Sequence, residues 1–110
     1  MILEQLVRDD VVILKIKGRV DSTNSSEIER AALELIDAGN KRFIFDLSSM
    51  DYISSAGLRV ILLTGKKLRA CKGKMVLMEM REMVKDVFEM SGFLSLFAAA
   101  ESLDEALKLV

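Results

Sequence analysis

Two stretches of this chain concentrate side chains able to do chemistry, Gly18 to Ser26 and Ser48 to Gly57. Both are rich in hydroxyls, and each runs directly into a helical apolar pattern. A helix N-terminus offers unpaired N–H groups and a positive dipole end, so it favours an anion. Ser54 and Ser55, like Ser22, Thr23, Ser25 and Ser26, can therefore act as helix caps or stand as hydroxyls beside an anion-friendly terminus. Spacing alone leaves both uses open.

Other chemistry is scarce. Histidine is absent and Cys71 is the single cysteine, which removes the usual general base, most metal sites and any internal disulfide. Cys71 ends an apolar helical pattern and is expected to be a packing residue. Ser55 has no neighbouring base and no Gly-x-Ser-x-Gly elbow, so catalysis is not expected. No calcium-type Asp loop and no Gly-x-x-x-x-Gly-Lys-Ser/Thr phosphate loop occurs, and neither cofactor nor metal is expected.

The elements around these stretches follow from composition and periodicity. Of 110 residues, 51% are hydrophobic and 30% charged, with no Pro and six Gly. One folded domain over residues 1–110 is expected. A net charge of −1 argues against direct nucleic-acid binding, and no polybasic cluster or long apolar run suggests a membrane. The start, Met1-Ile2-Leu3-Glu4-Gln5, lacks the basic region of a secretory signal, so a cytoplasmic location is expected.

Ile2–Val7 and Val11–Lys17 read as a hairpin, with Val12, Leu14 and Ile16 on one side and Lys15 and Lys17 on the other. Ile28, Ala31, Ala32, Leu35 and Ile36 have helical spacing, and Gly39 is a natural stop. Arg42–Leu47 and Met75–Met78 read as strands buried on both faces. Between them a helix carries Leu58, Ile61, Leu62 and Leu68. A further helix is expected to turn Met83, Val84, Val87 and Phe88 inward. The methionines around it, Met80, Met83 and Met90, could form an adaptable binding surface, but core filling is their expected use. Leu96–Ala98 reads as a last short strand and Ser102–Val110 as a final helix. This order implies an α/β fold: a single mixed sheet of four to five strands, an antiparallel N-terminal hairpin followed by parallel β-α units, and about four helices. In such sheets the functional surface lies past the carboxyl ends of the strands, where both polar stretches fall.

The run Asp46-Leu47-Ser48-Ser49-Met50-Asp51-Tyr52-Ile53-Ser54-Ser55-Ala56-Gly57-Leu58 resembles the signature of the STAS domain family, typified by bacterial anti-sigma factor antagonists. Gly18-Arg19-Val20-Asp21 resembles that family's Gly-x-x-Asp after the second strand. Val87-Phe88-Glu89-Met90-Ser91-Gly92-Phe93 resembles its apolar helix end and Ser-Gly step. The resemblance implies that Ser55 is a phosphoacceptor, with Ser54, which stands where the family often has Asp, as the alternative. It implies a partner contact over Asp21, Ser22 and Thr23 and over Ser54, Ser55, Ala56, Gly57 and Leu58, with orientation of the serine as the alternative role of Asp21; from its position alone Asp21 is equally an ordinary carboxylate ahead of a helix.

The implied partners are an anti-sigma factor with serine kinase activity and a metal-dependent serine phosphatase. The unphosphorylated form would hold the anti-sigma factor and release a sigma factor for transcription. A phosphate adds about −1.5 to −2 charges, enough to spoil a contact shaped for a hydroxyl. The alternative is a ligand- or nucleotide-sensing STAS module within a larger signalling assembly.

Overall fold

A computed structural model describes residues 1–110. Six strands and four helices run in the order β1 (Ile2–Arg8), β2 (Val11–Val20), α1 (Ser25–Asp37), β3 (Arg42–Asp46), β4 (Met50–Ile53), α2 (Ser55–Ala70), β5 (Lys74–Met78), α3 (Glu82–Met90), β6 (Ala98–Ala100) and α4 (Leu103–Leu109), with a 3-10 turn at Phe93–Ser95. The sheet order is β1-β2-β3-β5-β6, and β4 pairs with β2. Only β1 and β2 run antiparallel; the other pairings are parallel.

Strand alternation divides the apolar residues between two faces. Val12, Leu14, Phe43, Phe45 and Leu77 point to one face, where Ile28 of α1, Ile61 and Leu68 of α2, and Val84 and Phe88 of α3 cover them. Val11, Ile13, Ile44, Val76 and Met78 point to the other, covered by Ala106 of α4 and by Val110. Double coverage is why β3 and β5 read as continuous apolar runs. Helix α1 stops as its sequence indicates: Gly39 takes φ +100°, a left-handed turn that costs glycine little. Arg42 ties the hairpin to the chain end, pairing with Asp10 at 2.5 Å and donating to the Val110 carbonyl at 2.9 Å.

The mixed sheet and four helices agree with the sequence, but the strands number six rather than four to five. The added strand is β4, inside the stretch read as a loop. The second strand also runs on to Val20, because Gly18, Arg19 and Val20 pair with β4. The last strand lies at Ala98–Ala100 instead of Leu96–Ala98, because the 3-10 turn takes Phe93–Ser95 and Phe97 packs into the core. Helix α3 turns Val84 and Phe88 inward with Val87 half-buried. Met83 and Met90, however, are 75% and 89% exposed. Core filling holds for neither, since a nine-residue helix on one sheet face buries only a narrow stripe; Met80 alone of the three packs against the core.

Candidate functional site

The path of β4 sets the site. Asp46 at the end of β3 pairs with Lys15, and Ile53 at the end of β4 pairs with Val20. The chain thus takes seven steps while β2 takes five. One extra residue is absorbed between Leu47 and Ser49, where the Asp46 carboxylate accepts from the Ser48 amide at 3.0 Å and hydroxyl at 2.7 Å. The other is Asp51, which has no opposite number between Gly18–Met50 and Arg19–Tyr52. A bulge of this kind re-aims a side chain. The Asp51 carboxylate meets Arg81, whose Nε also donates to the Ser48 carbonyl at 3.0 Å. Beside it, the Arg19 guanidinium stacks over the Tyr52 ring at 4.3 Å.

At the end of β4 the Ser54 amide donates to the Val20 carbonyl at 2.9 Å, so α2 begins hard against the end of β2. Ser54 is the N-cap, with extended torsions, and its Oγ accepts from the Gly57 amide at 3.3 Å. Gly57 is buried, and a Cβ there would meet Ile53 Cγ1 and Val20 Cγ1, each at 2.7 Å. Only glycine lets the first turn lie this close to the sheet. Leu58 packs against the core. Ser55, the first residue of α2, is exposed, and Ala56 beside it is half-buried.

The other predicted stretch closes on itself. The Asp21 carboxylate accepts from the Thr23 amide at 2.9 Å and from the Thr23 hydroxyl at 2.5 Å. Those bonds, the hydroxyl first, hold the carboxyl below its usual range, helped by the charge of Arg19. Asn24 precedes α1, but its side chain accepts from the Asp21 amide and donates to the Arg19 carbonyl, both at 3.0 Å, rather than capping the helix. Ser25 is buried, while Ser22, Thr23 and Ser26 are exposed.

The fold therefore gathers both predicted stretches at one end of β2. Asp21, Ser22 and Thr23 leave β2 beside the Ser54–Leu58 turn, and the starts of α1 and α2 share one cleft, lined by Ser25, Ser26, Ala56 and Arg59 among others. Sequence reasoning missed Arg59, Arg81, and the Arg19–Tyr52 stack. For Arg59 a signal was present: it follows Ser55 by one helical turn, the spacing at which side chains meet. Arg81 could not be found from local pattern, since its partners lie some thirty positions away.

Residues 3–106 match the model of the STAS domain. A Bordetella bronchiseptica protein, BtrV, provisionally named an anti-sigma factor antagonist, is 45% identical over 98 residues, covering 89% of this chain and 84% of that protein. A Thermotoga maritima structure, also provisionally described as an anti-sigma factor antagonist, superimposes with a TM-score of 0.92 at 21% identity, covering 96% and 92% of the two chains. The Bacillus cell fate determinant SpoIIAA in its phosphorylated form superimposes with a TM-score of 0.78 at 19% identity, covering 97% of each.

Proposed function

The chain belongs to the STAS domain family, among its anti-sigma factor antagonists, and we propose that it is a binding switch controlled by phosphorylation of Ser55. The observation that carries this is the division of labour between adjacent serines. Ser54 spends its oxygen on the Gly57 amide, while Ser55 stands exposed at the open end of α2. That favours Ser55 over Ser54 as the acceptor.

In the unmodified state the Ser55 hydroxyl is small and neutral, and the surface formed by Asp21, Ser22, Thr23 and the Ser54–Leu58 turn packs on an anti-sigma factor. A sigma factor is thereby released for transcription. The anti-sigma factor is itself the kinase. The γ-phosphoryl group of ATP passes to Ser55 Oγ, the hydroxyl proton departs and ADP leaves. The amides of the first turn and the helix dipole tolerate the new dianion, so the fold persists while the docked surface is spoiled. A metal-dependent serine phosphatase adds water across the phosphate ester, restoring the hydroxyl and releasing inorganic phosphate. No helix is long and apolar enough to cross a membrane.

The test is incubation with the anti-sigma factor kinase of the same organism and ATP, followed by peptide mass mapping. One phosphate on Ser55, lost in Ser55→Ala, is expected. Modification of Ser54 alone, or binding that is indifferent to phosphate, would overturn the proposal.

A further inference from the structure

We infer that the open groove between α1 and α2 receives an acidic segment of the anti-sigma factor with an apolar side chain at its centre, an inference that rests on the switch proposed above. Two hollows, of about 290 and 390 Å³, share Glu29 and Leu63 and so form one groove that starts at the N-terminal ends of both helices. Its floor is apolar. Leu63 remains 42% exposed there, flanked by Leu33 and Val60. Its walls carry Arg59, Lys66 and Lys67 against the single carboxylate of Glu29, although the whole chain has a net charge of −1. A basic wall over an apolar floor selects carboxylates around a hydrophobic tip.

The groove also gives the switch its sign. Ser55, Arg59, Leu63 and Lys66 recur every three or four residues and share one stripe of α2. A phosphate on Ser55 sits one turn before Arg59. It draws that guanidinium to itself and sets about two negative charges at the mouth through which a carboxylate-bearing segment must pass. Eviction then needs repulsion and the loss of one cation, with no movement of the fold.

The experiment measures binding of the unphosphorylated full chain to the anti-sigma factor kinase by calorimetry at low and high salt. Arg59→Glu and the double variant Lys66→Glu/Lys67→Glu are compared with Lys108→Glu, a basic residue of α4 on the opposite sheet face. Circular dichroism verifies that each variant is folded. Weakening of about tenfold or more in both groove variants is expected, with a shallower salt dependence and with Lys108→Glu close to the parent. If the parent binds and is phosphorylated on Ser55 while the groove variants bind as tightly with the same salt dependence, the groove assignment alone falls. Failure of the parent to bind the kinase overturns the switch and the groove together.

Discussion

The starts of α1 and α2 are alike in placement and polarity and opposite in use. Both follow a strand, both are crowded with hydroxyls, and both open onto the same cleft. Ahead of α1 the polar groups bond to one another: Asp21 to Thr23, and Asn24 to the backbone of Asp21 and Arg19. Ahead of α2 one serine caps and the next is left over. The first region spends its polarity on holding a loop in shape. The second, braced by Gly57 against Ile53 and Val20, has a hydroxyl to spare. Polar content marks a region as interesting, but only the hydrogen-bond partners tell scaffold from handle.

The largest expected effect sharpens this contrast at the handle. Ser55→Asp should weaken anti-sigma factor binding by two to three powers of ten, about 3–4 kcal/mol, while leaving the melting curve close to that of the parent. A matching loss of thermal stability would mean that Ser55 belongs to the scaffold after all. Next comes the brace. Gly57→Ala drives a methyl group into two buried side chains and should cost about 1–3 kcal/mol in chemical denaturation, displacing the first turn of α2 as it does so.

Smaller effects compare the two caps directly. Asn24→Ala removes two side-chain bonds and should cost about 1–2 kcal/mol without altering phosphorylation. Ser54→Ala loses one cap, about 1 kcal/mol, and should still accept phosphate on Ser55. Abolished phosphorylation in a folded Ser54→Ala protein would exchange the roles of the two serines.

The smallest effect concerns Asp21. Its carboxyl is held below the usual range by Thr23, so its folded pKa lies under the unfolded value of about 3.9. The stabilisation is present above that unfolded value and is lost as pH falls through the folded one. Asp21→Asn should therefore flatten the dependence of the urea midpoint on pH at the acid end, below about pH 4, and leave it unchanged near neutrality.

Much of this molecule is legible in its residues because burial on one or both faces writes a period into the chain. The hairpin, β3, β5 and the inward stripe of α1 all follow from such periods. β4 was not legible, because four residues that alternate imperfectly around a bulge carry no period, and their strand character comes from the end of β2. Met83 and Met90 failed for a related reason. Helical spacing identifies a helix, whereas which face is covered depends on neighbours distant in sequence. The hydroxyl of Ser55 was locatable and capping was among the open uses of Ser54, but that the Ser54 oxygen takes the Gly57 amide is visible only in the fold.

The bulge at Asp51 bears on how this chain can change length. Met50, Tyr52 and Ile53 already match Gly18, Arg19 and Val20 one for one, and Asp51 is supernumerary to the ladder. Removing a residue elsewhere in a strand turns every following side chain to the wrong face. Here a single-residue deletion leaves Met50 and Ile53 facing the core and α2 at its station, and gives up only the clasp with Arg81. Insertions and deletions among related chains should gather at this position and avoid the rest of the strand.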